Sequence, residues 1–307
     1  MTTLAENRYF LGMAALLNSI VKHGTYFDHI VVGYRGNLPS WLTPLKESKY
    51  GKAYAINEQL SIELIAMDGS LHMVHEKPKW FHHLCHELYP EADEYFFFDA
   101  DIVVMNRMSF FGEWVQHGVA LCEDINYYMA LNHPIRLHWK KAAAAKGIAV
   151  KNQLYRYYNS GFLGWKQEHK AFLGDWEKCF AVLAEYSGDM TKFRTLDRTY
   201  PVLSTNQDSL NLATMITSVP MSAIGPEAMS FQHGLNLMVH PLGLKPWDKK
   251  FLLDFFKGYP PRATDFIFWQ NVNGQVFAPF SEWTVRWKVF TCKILRFFAR
   301  FYERLDM

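Results

Sequence analysis

Cysteine is scarce in this chain of 307 residues: Cys85, Cys122, Cys179 and Cys292 stand apart, without C-x-x-C spacing. That pattern excludes a thiolate zinc site and a disulfide framework, and predicts reduced, packed thiols and a cytoplasmic location. Long hydrophobic runs are missing too. No stretch reaches the eighteen or so apolar residues of a membrane span, and Met1 to Arg8 are not followed by the apolar core of a signal peptide. The expectation is a chain that neither crosses a membrane nor leaves by a classical signal. Nor is there an excess of one charge: 32 Lys and Arg face 30 Asp and Glu, a formal +2, which predicts no nucleic-acid partner because the basic residues cluster only near the C-terminus. What is abundant is apolar. With 50% hydrophobic and 16% aromatic residues the chain has enough for one large α/β domain, with or without an appendage, and too much for disorder.

The order of patterns alternates. Thr2 to Ala5 reads as a strand, and Glu6-Asn7-Arg8-Tyr9 opens a helix that ends before Gly24. Strands follow at His29–Tyr34 and Leu60–Met67, with a helical reading for the Pro39–Lys49 region between them. Pro78 suits the first turn of a helix that presents Trp80, Phe81, Leu84 and Leu88 on one side. His82 and His86 on that helix have the i, i+4 spacing of a metal grip, but no H-E-x-x-H glutamate lies between them, and they read as ordinary helix histidines. Val119 to Asp124 is a strand ending in acids, Pro134–Val150 is polar and helix-prone and looks like a lid or insertion more than core, and His169–Glu185 is a further helix. Alternation of this kind implies a mostly parallel sheet covered on both faces.

One stretch breaks the pattern. In Tyr95-Phe96-Phe97-Phe98-Asp99-Ala100-Asp101-Ile102-Val103-Val104 two carboxylates interrupt an apolar strand. Residues two apart in extended chain share a face, so Asp99 and Asp101 converge, and at roughly 6 Å with an effective dielectric near 20 they repel by about 3 kcal/mol. A cation belongs between them. Further on, Asn159-Ser160-Gly161 precedes an apolar strand, where backbone can approach a ligand closely. Thr205-Asn206-Gln207-Asp208 has the spacing of a helix start close to a capping box. His240-Pro241-Leu242-Gly243-Leu244-Lys245-Pro246-Trp247 can place an imidazole, backbone N–H groups and an ammonium around a diphosphate.

With these motifs in this order, from Thr2 to Trp247, the chain resembles the family 8 retaining glycosyltransferases, the group of glycogenin and the lipopolysaccharide galactosyl- and glucosyltransferases. The resemblance implies a GT-A-type nucleotide-sugar-binding fold, a UDP-hexose donor and a Mn²⁺ or Mg²⁺ ion held by Asp99, Asp101 and His240. It also implies contacts to the donor from Ala5, Glu6, Asn7, Tyr9, Lys79, Asp99, Ala100, Asn159, Ser160, Gly161, Gly243 and Lys245. Gln207 matches the residue beneath the reacting sugar carbon, with Asn206 and Asp208 beside it. Asn206 departs from the family's usual aspartate, and because an amide both donates and accepts, its preferred hydroxyl pattern differs. No carboxylate is expected at the reacting carbon, so the implied mechanism is front-face attack with retention. The competing readings are an idle sugar-nucleotide binder and the same chemistry on water or a small polyol.

The motifs end before residue 259, which divides the chain into a catalytic domain over 1–258 and an extension over 259–307. From Glu282 onward Trp283, Trp287, Phe290, Ile294, Phe297 and Phe301 mark one helix face, and Arg286, Lys293, Arg296, Arg300 and Arg304 a neighbouring stripe. Aromatic beside basic is the pattern of an amphipathic helix lying on an anionic membrane surface. The expected acceptor is then a glycan, including a lipid-linked one such as growing lipopolysaccharide, met on the cytoplasmic face. The competing reading is an aromatic face packed on the catalytic domain.

Overall fold

The computed structural model describes residues 1–24, 26–57, 60–197 and 199–301, and of Tyr127 the backbone alone. In chain order the strands and helices are β1 (Thr2–Glu6), α1 (Tyr9–Lys22), β2 (Ile30–Arg35), β3 (Lys46–Glu47), β4 (Lys52–Ala55), β5 (Ser61–Ala66), α2 (Lys77–His83), β6 (Glu94–Phe98) and β7 (Val103–Val104). They continue as α3 (Met108–Val115), β8 (Val119–Tyr128), α4 (Pro134–Ala145), β9 (Arg156–Lys166), α5 (Ala171–Ala184), α6 (Thr205–Ile216), β10 (Met221–Ile224), β11 (Met238–Val239), α7 (Phe251–Phe256), α8 (Ala263–Asn271) and α9 (Glu282–Phe298). Among the described residues one nine-stranded sheet has the order β10-β8-β9-β6-β1-β2-β5-β4-β3, and β7 pairs with β11 in a small second sheet. In the large sheet only β4 and β9 run against the others, so it is mostly parallel.

Strand β6 shows why the sheet is buried on both sides. Its side chains alternate, so Phe97 enters one core with Phe81, Trp139, Trp165 and Trp176, while Phe96 and Phe98 enter the opposite core with Met13, Leu16, Phe111 and Phe162. Burying a side chain of this size is worth about 1.5–3 kcal/mol against leaving it in water. The phenylalanines anchor the strand whose end carries the two aspartates.

A third core joins the last helices to the rest. Phe251, Phe255, Phe268, Trp269, Cys292 and Leu295 pack with Ala15 of α1 and with Val103 and Val239 of the small sheet. Asn18 of α1 locks this arrangement: its Nδ2 donates to the carbonyls of Asn271, Val272 and Phe277 at 3.0–3.1 Å, and its Oδ1 accepts from the N–H groups of Val276 and Phe277 at 3.0 Å. Residues on both sides of position 258 therefore share one core.

Two expected elements differ. The helical reading of Pro39–Lys49 is corrected to turns and the short strand β3, because Pro39 and Pro44 interrupt any helical hydrogen-bond series and Lys46 and Glu47 pair with β4. The lid reading of Pro134–Val150 is corrected as well: α4 buries Arg136, Trp139, Ala142 and Ala143 completely or nearly so. The Arg136 guanidinium donates to the carbonyls of Met129 and Arg156 at 3.2 and 2.9 Å, which turns a charged residue into a clamp between β8 and β9. Burial lowers its pKa to about 10.

Candidate active site

β6 ends at Phe98, and the two carboxylates lie on the turn beyond it, closed by the Ile102 N–H donating to the Asp99 carbonyl at 2.9 Å. The extended-strand geometry expected for Asp99 and Asp101 is thus replaced by a turn that still converges them. Asp99, Asp101 and His240 each offer a ligand atom, all within 4.8 Å of one another. His240 follows β11, whose pairing with β7 carries the imidazole back beside the turn, its Nε2 3.5 Å from Asp101 Oδ1 and 3.8 Å from Asp99 Oδ2. Gly161 leaves room for it: a Cβ there would come within 2.7 Å of His240 Cε1.

Two ammonium groups flank the carboxylates, Lys77 buried and Lys245 partly so. Lys77 Nζ lies 2.6 Å from Asp99 Oδ1 and donates to the Ser160 carbonyl at 2.8 Å, while Lys245 Nζ pairs with Asp101 and donates to the Pro241 carbonyl at 2.9 Å. Burial alone would raise the Asp101 carboxyl, but Lys245 and His240 outweigh it and hold it well below the usual carboxylate range. Lys245 likewise overcomes its own burial through Asp101 and titrates above its ordinary value. Gly243, at a φ of 72°, takes the left-handed backbone that bends the loop between His240 and Lys245.

The carboxylates open into a cavity of about 800 Å³. Of the residues singled out by the sequence, Glu6, Tyr9, Asp99, Ala100, Asp101, Asn159, Ser160, Asn206, Gln207, Asp208, His240, Gly243 and Lys245 line it. Ala5 does not, since its side chain belongs to the core beneath, and neither do Asn7, Gly161 and Lys79. Lys79 is the clear correction: it is exposed, and Lys77 takes the place beside the aspartates. Two residues along a helix lie about 200° apart around the axis, so only one of the two lysines can face the site.

The cavity floor is a hydrogen-bonded amide layer. Gln207 Oε1 accepts from the Ser160 N–H at 3.1 Å and its Nε2 donates to Asp124 Oδ2 at 3.2 Å. Asn159 Nδ2 donates to the same oxygen at 2.7 Å. Asn206 Nδ2 donates to Ser160 Oγ at 2.8 Å, and its buried Oδ1 has no partner among the described residues. Asp208 caps the layer from behind, accepting from Tyr157 Oη at 2.7 Å and from the N–H groups of Leu203 and Ser204 at 3.0 and 3.3 Å. Burial outweighs those bonds and pushes its carboxyl up to about 6. The capping box expected at Thr205 and Asp208 is corrected: Ser204 is the N-cap and makes no side-chain cap bond, Thr205 Oγ1 pairs with Ser187, and Asp208 reaches back one residue further, to the N–H groups of Leu203 and Ser204.

Asp124 is the residue that sequence reasoning passed over. It was visible only as an acid at a strand end. The pairing of Cys122 with Asn159 across β8 and β9 brings its carboxylate to the floor beside Gln207, so a carboxylate does stand near that glutamine. Phe193 and Arg194, from the connection before α6, and His72 also line the cavity and carried no motif.

No protein-family model matches the chain, and no curated protein does. Solved structures do match in fold. The apo structure of the bifunctional glycosyltransferase WbbM has a TM-score of 0.53 at 14% identity over 94% of this chain, which spans about half (51%) of that protein. The galactosyltransferase LgtC, in complex with donor and acceptor sugar analogues, gives 0.53 at 12% identity, covering 94% of this chain and 99% of that one. An active-site mutant of LgtC gives 0.52 at 10%, covering 93% and 99%. The fold is therefore that of GT-A-like glycosyltransferases: a mixed α/β molecule with a mostly parallel central sheet flanked by helices.

Proposed function

We propose that this chain is a divalent-metal-dependent, retaining hexosyltransferase of the family 8 kind, which moves a hexose from a UDP-sugar to a glycan acceptor. The observation that carries the reading is the convergence of Asp99, Asp101 and His240 within 4.8 Å at the edge of a cavity that also holds Lys77 and Lys245. Two carboxylates with one imidazole form a donor set suited to Mn²⁺ or Mg²⁺ together with diphosphate oxygens. Bound there, the ion would supply Lewis-acid stabilisation of the departing diphosphate.

The chain's own residues do the rest. Lys245, on the loop bent at Gly243, exchanges its Pro241 carbonyl for a diphosphate oxygen and neutralises charge as the sugar–phosphate bond breaks. Lys77, paired with Asp99 Oδ1 and tied to the Ser160 carbonyl, orients that carboxylate toward the ion. Glu6 and Tyr9, at the cavity wall, take the nucleoside end of the donor. The free Oδ1 of Asn206 accepts from a sugar hydroxyl, while Gln207, fixed through Ser160 and Asp124, sits beneath the reacting carbon. The acceptor hydroxyl attacks from the side of the leaving group, whose phosphate oxygen receives its proton, so configuration is retained. Asp124, held by Asn126 at Oδ1 and accepting from Asn159 and Gln207 at Oδ2, positions Gln207.

The acceptor is lipopolysaccharide or a related surface glycan, reached by the protein as a peripheral element on the cytoplasmic face of a membrane. Support comes from α9, whose aromatic face stays exposed with a basic stripe beside it. Incubation with a panel of UDP-sugars, Mn²⁺ and candidate acceptors tests the reading. Acceptor-dependent UDP release that stops in EDTA is expected, with Asp101→Asn and His240→Ala each lowering turnover by about 10²-fold or more. Full activity in excess EDTA would overturn the metal's role.

A further inference from the structure

The outer sides of α7 and α9 have no function in the transferase site, yet they carry a dense set of exposed large apolar side chains. Both helices lie over the third core, α7 through Phe251 and Phe255 and α9 through Cys292 and Leu295. They also touch, since Lys288 Nζ sits 4.9 Å from the Phe251 ring centre and donates to the Lys249 carbonyl at 3.4 Å. With their inner sides fixed, their outer sides face solvent. On α9, Trp283, Trp287, Phe290, Ile294 and Phe297 recur at three- and four-residue spacing on the far side from Cys292 and Leu295, and Trp283 is 73% exposed. On α7, Leu252, Leu253 and Phe256 turn outward, with Phe256 79% exposed. An exposed apolar surface of this extent marks a site of contact.

Charge selects the occupant. Residues 283–301 contain Arg286, Lys288, Lys293, Arg296 and Arg300 and no acidic residue. Among the described residues no helix is long and apolar enough to cross a membrane. An aromatic face flanked by positive charge fits the headgroup region of an anionic bilayer, where tryptophan and phenylalanine partition and arginine meets phosphate.

We propose that α7 and α9 form one composite membrane face, in which Leu252, Leu253 and Phe256 of α7 enter the lipid beside the aromatic stripe of α9. The consequence reaches the active site through the chain. The loop carrying Gly243 and Lys245 leads directly into α7, exposes Leu244, and is held at its Leu242 carbonyl by Arg262 Nη1. Seating α7 in lipid holds that loop, and with it the cavity mouth, at the membrane surface. This part of the inference rests on the transferase reading, whose lipid-linked acceptor class would then be met in the plane of the bilayer.

The test uses the full chain, a double variant on α7 (Leu253→Asp with Phe256→Asp) and one on α9 (Trp283→Asp with Phe290→Asp). Co-sedimentation is measured with vesicles of phosphatidylcholine alone and of phosphatidylcholine with phosphatidylglycerol, at low and high salt. The unaltered chain should bind the anionic vesicles and be released by salt, and each double variant should bind about tenfold more weakly or worse, as loss of two inserted side chains predicts. UDP release with a soluble acceptor should be unchanged, which also shows that the variants are folded. An α7 variant that binds like the unaltered chain overturns the composite face, as does equal binding to neutral and anionic vesicles. Self-association in light scattering that these substitutions abolish, without vesicle binding, makes the surface a protein interface and overturns the proposal. Vesicle binding with no UDP release from any UDP-sugar, by contrast, sinks the transferase reading and the acceptor class but leaves the membrane face standing.

Discussion

Lys77 and Lys79 differ by two positions and have opposite consequences. Lys77 is buried against Asp99 and the Ser160 carbonyl, whereas Lys79 points to solvent from the same helix. Replacing Lys77 by Met leaves Asp99 without its nearest cation, and turnover should fall by about 10²-fold, as for other lost charge partners in a site. Lys79→Met should leave kcat within about twofold, since surface changes of this kind rarely act on a site. Steady-state kinetics on folded samples separates the two. Asp208 makes a second residue-level prediction. Its carboxyl titrates near 6 in the native protein against an ordinary 3.8. The native state thus binds a proton more tightly than the unfolded chain, so stability is fully present below the lower value and is lost as pH rises through the higher one. The loss is about 3 kcal/mol. Urea unfolding of the unaltered chain and of Asp208→Asn across pH 4–7 should show their difference in stability moving in favour of the variant by about that amount.

At the scale of elements, the attachment of the last helices depends on α1. Asn18 makes five hydrogen bonds to backbone groups between Asn271 and Phe277, all of them buried. Asn18→Ala strands the carbonyls of Asn271 and Val272 and the N–H groups of Val276 and Phe277 at once, while the Phe277 carbonyl keeps the Gly274 N–H, and should cost about 3 kcal/mol or more in thermal or denaturant unfolding, without touching the cavity. The periodicity of α9 was legible from residue numbers alone, and the helix begins at Glu282 as its pattern implies. Which of its faces meets the protein was not. The inner face is the narrow one of Thr291, Cys292 and Leu295, and the aromatic stripe stays outside. The packed-face alternative therefore fails for the described residues, while Arg304 of the basic stripe lies outside them. Because α9 also roofs the third core, removing it would expose Phe268 and Trp269, so point substitutions report on its outer face more cleanly than truncation does.

At the scale of the whole molecule, the four cysteines end up buried and unpaired, each in an apolar layer. Burial pushes the Cys85 thiol up to about 11 and Cys292 up to about 12, and raises Cys122 and Cys179 well above the ordinary value too. A thiol reagent near neutral pH should therefore react slowly with the native protein, and should count four thiols rapidly once urea has unfolded it. Sequence by itself determined what depends on local order: the alternation of strands and helices, the double burial of β6 through Phe96, Phe97 and Phe98, and the cluster of Asp99, Asp101 and His240. The first two follow from periodicity, and the cluster from the resemblance of its motifs to a known family. Tertiary structure alone decided what depends on direction and neighbours. Helix rotation chose Lys77 over Lys79, strand register brought Asp124 under Gln207, and the packing of Cys292 and Leu295 on the third core left the aromatic side of α9 outside. A one-dimensional pattern states which side chains share a face, but which face is covered is settled by the elements that arrive beside it, and those are set by contacts between residues more than two hundred positions apart.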